Sequence, residues 1–440
     1  MADARTLAFR SLSKIFREKS YSNITIAGAL RSSDLSGADK SFFTALVYGV
    51  LERKVTLDYN LSRYLQQPIG KLNPKVYTAL LLGAYQVLFM EKVPSHAAVN
   101  ETVRLVKKNG AGFAAGLVNA VLHKLAQNGV CYPDPPAREL PEDGALTEAE
   151  WQYLSVYYSV PEPLLKRFVS SYGLSKTTGL LEDALGPRPL TVRVNTTRTS
   201  AEALKKRLSE EGVNSEAHPF AEDALMLEDP GDLSALPSFR EGLFHVQDAA
   251  SQLCCKALDP QPGETVFDVC AAPGGKSCTL AERMENNGVL KAFDLYESRV
   301  GLIRENASRL GLSIVSAEAF DATKYDPSRG LADRILCDVP CSGTGDIGRK
   351  PEVRFKDPGL VDNLSPLQYD ILNITEQYLK AGGTLVYSTC ALDPAENEDV
   401  VARFLSEHPD FVCREQKTCF PQDWMSDGFF YAVLEKEREL

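Results

Sequence analysis

Several features that would assign this chain to a specialised class are missing from its sequence. Its 10 cysteines and 5 histidines include no C-x-x-C pair and no cluster at zinc-ligand spacing, so we expect no metal site. The N-terminal residues lack the uninterrupted apolar core of a signal peptide. The longest apolar run, Val76 to Met90, is interrupted by Thr78 and Gln86 and is too short to span a bilayer of about 30 Å. These absences predict a cytoplasmic protein with reduced thiols and no membrane partner.

The chain is long enough for two or three domains, and its charge is unevenly distributed. Its 440 residues contain no low-complexity tract and no internal repeat, which argues against a disordered or solenoid protein. Residues 1–130 contain 17 Lys and Arg against 8 Asp and Glu, whereas the remaining residues contain 31 against 51. A basic module of this kind is typical of a protein that meets a polyanion, although a solvated basic surface with no partner explains the charge equally well.

The hydrophobic pattern divides the chain into four parts. Apolar residues recur at helical spacing throughout residues 1–130, which predicts an all-helical domain. Residues 131–150 combine prolines with acidic side chains and predict a linker. Residues 151–240 mix helical and strand-like stretches and predict a small α+β subdomain. In residues 241–440 short apolar strands alternate with helices, which predicts a mostly parallel sheet covered on both faces.

The helix before the last predicted strand of that sheet has its own start and stop signals. Ser365 can cap its N-terminus, and Pro366 suits its first position. Gln368 would complete a capping box, and Gly382 with Gly383 would end the helix.

A glycine-containing loop joins the first predicted strand of the sheet to a helix. It consists of Cys270, Ala271, Ala272, Pro273, Gly274, Gly275, Lys276 and Ser277. Small residues let the backbone approach a ligand, and the N–H groups at a helix start favour a negatively charged ligand group. One interpretation is the phosphate loop of a nucleotide triphosphatase, whose pattern ends in Gly-Lys-Ser or Gly-Lys-Thr. However, Cys270 stands where that pattern needs its first glycine.

Two aspartates at the ends of the next strands favour a different ligand. Asp294 closes the second strand, where nucleotide-binding folds place an acid that binds ribose hydroxyls. S-adenosylmethionine has this ribose and a carboxylate but no phosphate, so the glycine loop with Asp294 fits it better than a triphosphate. Asp321, after the third strand, either binds the adenosine part of the cofactor or forms an Asx-type turn.

Two cysteines directly follow apolar strands of the same sheet. Cys341 comes shortly after Asp338, and Cys390 ends the last of these strands. Loops that leave the carboxyl ends of parallel strands meet at one edge of a sheet, so we expect the two thiols to share a site. An isolated strand-end cysteine is more often an inert buried thiol. A thiolate that adds to carbon 6 of a pyrimidine, however, makes carbon 5 nucleophilic enough to accept a methyl group, and this chemistry gives a thiol pair a purpose.

The chain resembles a known family in several motifs. They are Val246–Ser251, Cys270–Ser277, Asp338–Gly345, Leu385–Cys390, Pro394–Glu398 and Asp427–Phe430. In these motifs the chain is similar to the Sun-type RNA cytosine-5 methyltransferases of the Nop/Nol/Sun family. The first 130 residues also resemble the all-helical antitermination factor NusB, most clearly in Val93–Glu101 and Gly116–Leu122.

The resemblance implies an α/β protein with a NusB-like, RNA-binding N-terminal domain and a Rossmann-like catalytic domain. It implies transfer of a methyl group from S-adenosylmethionine to carbon 5 of cytosine in 16S ribosomal RNA by a monomer. Transfer RNA or another ribosomal RNA is the alternative substrate, and a non-catalytic RNA-binding assembly factor is the alternative class. The intact thiol pair argues against the latter, because binding alone needs neither cysteine.

The resemblance also implies roles for individual residues. Cys390 would be the nucleophile, Cys341 would assist product release, and Lys276 and Asp338 would also face the target base. The implied cofactor residues are Cys270, Ala271, Ala272, Pro273, Gly274, Gly275, Lys276, Asp294, Asp321 and Asp338.

A short basic stretch follows the Cys341 loop. Its members are Arg349, Lys350, Arg354 and Lys356. Beside the thiols they would hold phosphates of the RNA strand, and an ordinary solvated loop is the alternative.

Overall fold

The chain forms two compact units. The computed structural model describes residues 3–18, 20–186, 188–357 and 359–438. The first unit comprises Met1–Leu185 and Ile347–Lys356, and the second comprises Gly186–Asp346 and Asp357–Leu440. The chain therefore leaves the second unit after Asp346, contributes a short segment to the first unit, and returns.

The first unit is helical. Its α-helices are α1 Ala4–Glu18, α2 Ser22–Arg31, α3 Gly37–Glu52, α4 Lys54–Ser62, α5 Pro74–Phe89, α6 Ser95–Lys108, α7 Ala115–Asn128, α8 Glu148–Tyr158, α9 Glu162–Tyr172 and α10 Leu174–Leu185. The described residues of this unit contain no β-strand. Ala8, Leu12 and Ile15 of α1 all lie in one buried core, because residues three or four positions apart share a helix face. The prediction of a helical N-terminal region is confirmed.

A small antiparallel sheet opens the second unit. Its strands are β1 Leu190–Val194, β2 Asn214–Ala217, β3 Ala224–Glu228 and β4 Phe244–Val246. They lie in the order β2-β3-β1-β4, and every neighbouring pair is antiparallel.

A larger sheet of seven strands follows. Its strands are β5 Thr265–Asp268, β6 Val289–Asp294, β7 Val315–Ala319, β8 Ala332–Asp338, β9 Leu379–Thr389, β10 Phe411–Cys419 and β11 Phe429–Lys436. Their order is β10-β11-β9-β8-β5-β6-β7. The five strands from β9 to β7 are parallel to one another, whereas β11 and β10 add an antiparallel edge. This mostly parallel sheet confirms the predicted α/β, Rossmann-like class.

Helices cover both faces of the large sheet. The α-helices of this unit are α11 Ala201–Glu210, α12 Pro237–Arg240, α13 Ala249–Leu258, α14 Gly275–Arg283, α15 Glu297–Leu310, α16 Leu360–Thr375, α17 Glu398–Glu407 and α18 Pro421–Trp424. Successive strand residues point to opposite faces, so Val266 packs with α13, α14 and α15 while Phe267 packs with α16 and α17. Because β5, β6, β8 and β9 are parallel, their carboxyl ends lie at the same edge of the sheet, and the loops that follow them meet there.

The helix before β9 differs from its prediction. Helix α16 begins at Leu360, not at Ser365, and Pro366 lies in its interior. It ends at Thr375, and the predicted terminal glycine pair lies within β9 instead. The Ser365 hydroxyl donates a hydrogen bond to the carbonyl of Ala395 at 2.6 Å rather than capping the helix. A tertiary partner has therefore replaced the local cap, a competition that sequence pattern does not reveal.

The predicted subdomain, residues 151–240, extends over both units. Its helices α8, α9 and α10 belong to the first unit, and strands β1 to β3 belong to the second. The predicted linker, residues 131–150, ends in the first turn of α8, which begins with a capping box formed by Thr147 and Glu150. Within the described ranges, every helix is too short or too polar to cross a lipid bilayer.

Candidate active site

The pairing of β8 with β9 brings Cys341 and Cys390 together. The two strands are parallel neighbours, with Asp338 in register with Ser388. Cys341 lies three residues after the end of β8 and Cys390 immediately after the end of β9, and the two Sγ atoms lie 3.1 Å apart. Both side chains are partly buried. The expectation that the thiols share one site therefore matches the geometry.

Main-chain and side-chain hydrogen bonds tie the two cysteine loops to each other. The N–H of Gly345 donates to the carbonyl of Cys390 at 3.0 Å. The N–H of Leu392 donates to the Thr344 hydroxyl at 2.9 Å. Each loop thus fixes the backbone of the other.

Several other cysteines of the second unit lie in a different environment. Cys254, Cys255 and Cys278 are buried in the core beneath the sheet. Burial raises the pKa of Cys255 and of Cys278 to about 12, which leaves almost no thiolate at neutral pH. These thiols are therefore packing residues, in contrast to the partly accessible pair.

A charge pair lies beside the thiols. The Lys276 ammonium donates to one oxygen of Asp338 at 2.8 Å, and the Ser388 hydroxyl donates to the other at 2.9 Å. The ammonium also lies 4.9 Å from the centre of the Phe429 ring. Burial opposes the charged form, but the Asp338 carboxylate outweighs it and raises the pKa of Lys276. The pair therefore holds the Lys276 ammonium against Asp338.

The glycine loop leads from β5 into α14 through a tight turn. Gly274 precedes the helix with a φ of 99°, in the region that side chains rarely adopt. A Cβ atom at this position would approach the Cα of Ile303 to 3.0 Å. The loop is closed by a hydrogen bond of 2.7 Å from the N–H of Gly274 to the carbonyl of Ala271. Its small residues therefore hold the start of α14 close against α15.

Asp294 lies at the end of β6 and faces this loop. Its carboxylate is 3% exposed and accepts from the N–H groups of Ala272 and Tyr296, each at 3.3 Å. Arg299 lies 3.3 Å from the same carboxylate and also donates to the carbonyl of Ala272 at 3.0 Å. Arg299 belongs to none of the sequence motifs and is not among the predicted site residues. Arg299 reaches the site because it lies in the first turn of α15, shortly after Asp294.

Asp268, which sequence reasoning also missed, lies under the glycine loop. It is 1% exposed, and one carboxylate oxygen accepts from the Ser277 hydroxyl at 2.6 Å. The other oxygen has no hydrogen-bond partner among the described residues. Burial raises the pKa of Asp268 to about 7. An aspartate in an apolar strand directly before a glycine loop was the available signal.

Asp321 has the geometry of an Asx-type turn. Its carboxylate accepts from the backbone N–H of Thr323 at 3.1 Å and from the Thr323 hydroxyl at 2.6 Å. Lys324 lies 3.2 Å from its second oxygen. These bonds, the Thr323 hydroxyl first, lower the pKa of Asp321.

The basic stretch after the Cys341 loop belongs to the first unit, and the prediction is wrong for Arg354. This side chain is 2% exposed. Its guanidinium donates to main-chain carbonyls of Glu52, Tyr158, Ser159, Ala184 and Ile347, at 3.2 to 3.5 Å. The Lys356 ammonium lies 3.4 Å from the Tyr21 hydroxyl. Arg354 therefore binds main-chain carbonyls of its own unit and is too buried to contact a phosphate. The prediction failed because the spacing of basic residues in a sequence does not show which of them are buried.

The arrangement has the parts for nucleophilic catalysis on a planar ring. Two thiols in contact can reach adjacent ring atoms, and the neighbouring carboxylate can accept hydrogen bonds from the ring edge. The small-residue loop with Asp294 lies at the carboxyl ends of the adjoining strands, where open α/β sheets bind their ligands.

Known proteins resemble this chain along almost its whole length. Residues 255–435 match the family described as 16S rRNA methyltransferase RsmB/F. Residues 2–127 match the NusB family, and residues 160–234 match the ferredoxin-like domain of RsmF/B-like methyltransferases. The probable ribosomal RNA small subunit methyltransferase B of Bacillus subtilis is 38% identical, with 98% of each chain covered. Its counterpart in Synechocystis is 36% identical, with 99% of this chain and 100% of the relative covered.

Solved structures show the same relationship. The crystal structure of PH0851 is 26% identical and superposes with a TM-score of 0.83, covering 99% of each chain. A methyltransferase homolog from Pyrococcus horikoshii is 30% identical with a TM-score of 0.59 and covers 66% of this chain and 100% of its own. The Sun-type resemblance is confirmed, and the chain belongs to the RsmB/F family of 16S ribosomal RNA methyltransferases.

Proposed function

We propose that this protein methylates carbon 5 of a cytosine in 16S ribosomal RNA, with S-adenosylmethionine as methyl donor. The names of the relatives from Bacillus subtilis and Synechocystis support small-subunit ribosomal RNA as the substrate. The observation that carries the chemistry is the 3.1 Å contact between the Cys341 and Cys390 sulfurs. Methylation of an amino group or of a ribose hydroxyl needs no thiol, whereas carbon 5 of a pyrimidine does.

The residues of the glycine loop fit S-adenosylmethionine. Ala272 and Gly275 are partly exposed and Ala271 is buried beside them, so a ligand can approach the backbone at the start of α14, where a carboxylate is favoured. Asp294 would accept from the ribose hydroxyls, and Asp321, at the end of the next strand, would face the adenosine despite its turn geometry. Asp268 has one buried oxygen without a partner among the described residues, which suits a ligand that carries positive charge. Cys270 and Pro273 belong to the same loop and would lie beside the cofactor. The cofactor supplies an electrophilic methyl group when bound.

Cys390 acts as the nucleophile in this proposal. Its thiolate adds to carbon 6 of the cytosine, and the new carbon–sulfur bond turns the ring into an enamine that is nucleophilic at carbon 5. After methylation, a base takes the proton from carbon 5, and the electrons of that carbon–hydrogen bond restore the ring double bond. The carbon–sulfur bond breaks, and its electrons return to Cys390. Cys341 lies in contact with that sulfur and assists the release.

Asp338 and Lys276 hold the cytosine during these steps. The Asp338 carboxylate accepts from the amino edge of the base, and Lys276 steadies the negative charge that the adduct creates. Their pairing raises the pKa of Lys276 and holds both side chains in place before the base arrives.

The helical first unit provides the RNA-binding surface in this proposal. Arg104, Lys107 and Lys108 lie exposed toward the end of α6, and the first 130 residues carry a net excess of positive charge. Phosphate contacts of this kind would make RNA affinity fall with rising salt concentration.

The test is methylation of purified ribosomal RNA and, separately, of transfer RNA with methyl-labelled S-adenosylmethionine, followed by nucleoside analysis and bisulfite mapping. We expect label in 5-methylcytidine at a defined position of 16S RNA, supplied free or as an assembling small subunit. Labelling of transfer RNA alone would assign the alternative substrate. Label in another nucleoside would refute the carbon-5 chemistry.

Thermal melting separates the cofactor hypothesis from the triphosphatase alternative. We expect S-adenosylhomocysteine to raise the melting temperature, because a ligand that binds only the folded state stabilises it. Stabilisation by ATP with magnesium, without any effect of S-adenosylhomocysteine, would contradict the proposal.

A further inference from the structure

Two adjacent buried residues hold the backbone on both sides of the two thiols. Glu396 and Asn397 lie where a short 3₁₀ helix, Pro394–Glu396, meets α17. Both side chains are 0% exposed. A buried carboxylate next to a buried amide is costly unless each has specific partners, so the partners identify their purpose.

Glu396 holds the loop of Cys341. One of its carboxylate oxygens accepts from the backbone N–H of Ser342 at 2.8 Å and from the side-chain amide of Gln368 at 2.8 Å. The same Gln368 amide donates to the carbonyl of Pro340 at 3.0 Å. The residues immediately before and after Cys341 are therefore fixed by Glu396 and its neighbour Gln368.

Asn397 holds the loop of Cys390 in the same way. Its amide oxygen accepts from the Thr389 hydroxyl at 2.6 Å, and its amide nitrogen donates to the carbonyl of Ala391 at 3.0 Å. The N–H of Ala391 also donates to the Thr389 hydroxyl at 3.2 Å. The residues on both sides of Cys390 are thus bound to one side chain.

We propose that Glu396 and Asn397 form a clamp that sets the separation and direction of the two thiols. Because the two residues are consecutive, a single short backbone segment fixes both loops relative to each other. Neither side chain would touch the cytosine, so both are positioning residues. This inference rests on the proposed function, in which one thiol forms the adduct and the other resolves it.

The clamp predicts different defects for its two halves. Loss of the Glu396 carboxylate frees the Cys341 loop and slows release of the adduct. Loss of the Asn397 amide frees the Cys390 loop and slows formation of the adduct. A displacement of a reacting group by about 1 Å costs up to about a hundredfold in rate, so defects of at least about tenfold are expected.

The first experiment measures single-turnover methylation and the denaturation-resistant protein–RNA complex in Glu396→Ala and Asn397→Ala. Asn397→Ala should transfer methyl at least about tenfold more slowly and should form less of the complex than the wild type. Glu396→Ala should still transfer methyl, but its complex should accumulate and break down at least about tenfold more slowly. Glu396→Gln keeps an oxygen for Ser342 and Gln368, and it should restore most of the rate of release.

Glu398→Ala is the matched control. Glu398 belongs to the same acidic motif, but it accepts from the Thr418 hydroxyl at 3.0 Å in β10 rather than from a cysteine loop. It should methylate at the wild-type rate. If Glu398→Ala shows the same defect as Glu396→Ala, the defects come from general destabilisation of this region, and the inference is overturned.

The second experiment needs neither RNA nor cofactor. The oxidant diamide converts the two thiols to a disulfide and is itself reduced to a hydrazine, and the rate of this reaction reports how well the thiols are aligned. Both alanine variants should form the disulfide at least about tenfold more slowly than the wild type. If the alanine variants form the disulfide slowly but the wild type does not methylate cytosine, the proposed function is refuted and the clamp stands.

Gln368→Met provides a second route if Glu396→Ala fails to fold. This change removes the donor to Pro340 while preserving the volume of the buried side chain. It should slow both disulfide formation and adduct release. Wild-type rates in folded Glu396→Ala or Gln368→Met, in both experiments, would overturn the clamp.

Discussion

The Sγ atoms of Cys341 and Cys390 lie 3.1 Å apart, at the ends of neighbouring parallel strands. This contact suits a reaction in which one sulfur bonds to carbon 6 and the other acts close to carbon 5, because those carbons are bonded neighbours. The contact also has a chemical cost. Two sulfurs this close need little motion to form a disulfide.

Mild oxidation should therefore inactivate the protein reversibly. Hydrogen peroxide would oxidise the two thiols to a disulfide and be reduced to water, which would remove the nucleophile. We expect methylation activity to fall with oxidation and to return with a thiol reductant, and peptide mass spectrometry to identify a Cys341–Cys390 linkage.

Cys413→Ser is the control for this oxidation. Cys413 is partly buried at the edge strand β10, and its replacement should leave the oxidative inactivation unchanged. Reversible inactivation of the wild type without a Cys341–Cys390 linkage in the peptide spectra would contradict the assignment to this pair.

Lys276→Met should impair methylation by about a hundredfold. The substitution removes the ammonium that lies 2.8 Å from Asp338 and leaves that carboxylate without its partner beside the thiols. Initial rates at saturating RNA and cofactor measure the effect.

Lys256→Met is a matched control, because Lys256 pairs with Glu222 at 3.3 Å and both side chains are mostly exposed. Exposed ion pairs contribute little, so this variant should retain wild-type rates. Equal activity of both variants would show that Lys276 has no role in the reaction.

Asp268 should make stability depend on pH. Burial raises its pKa to about 7, whereas an exposed aspartate titrates near about 4. Between these values the folded protein holds a proton that the unfolded chain has released, so the free energy of unfolding falls as pH rises to about 7 and this contribution is constant above it.

Asp268→Asn removes this titration while keeping an oxygen for Ser277. Relative to the wild type, the variant should gain up to about 1.4 kcal/mol of stability for each pH unit in this window. Melting temperatures of both proteins from about pH 5 to about pH 8 check the trend. A difference in stability, variant minus wild type, that stays constant or falls as pH rises would refute it.

Arg354→Met should destabilise the first unit by about 3 kcal/mol or more. The change removes a buried guanidinium that donates to five main-chain carbonyls, and each buried carbonyl without a donor is costly. Urea unfolding measures the effect. Lys356→Met, on the same segment but near the surface, should change stability little, and a similar loss in both variants would contradict the role assigned to Arg354.

The sequence predicts these strands well because most of their residues are buried and form short apolar runs. The range Val289 to Asp294 and the range Leu190 to Val194 are strands as predicted. The first lies in the parallel part of the large sheet, where helices on both faces make a strand mostly apolar.

Tertiary partners explain where the sequence misleads. The local signals at Ser365 and Gln368 predict a capping box, but their side chains bind Ala395 and Glu396 instead. Arg354 stands among basic residues yet is fully enclosed by carbonyls of the first unit. Asp268 acquires its raised pKa chiefly from burial and also from the nearby carboxylates of Asp338 and Asp294. None of these partners is near in sequence, so no local pattern could reveal them.

The central claim, that Cys390 attacks and Cys341 releases, is tested most directly by trapping the protein–RNA complex in Cys341→Ala and Cys390→Ala with S-adenosylmethionine present. We predict that Cys341→Ala accumulates a denaturation-resistant complex containing methylated RNA, while Cys390→Ala forms none and transfers no methyl group. A complex that forms with Cys390→Ala and not with Cys341→Ala would contradict this account.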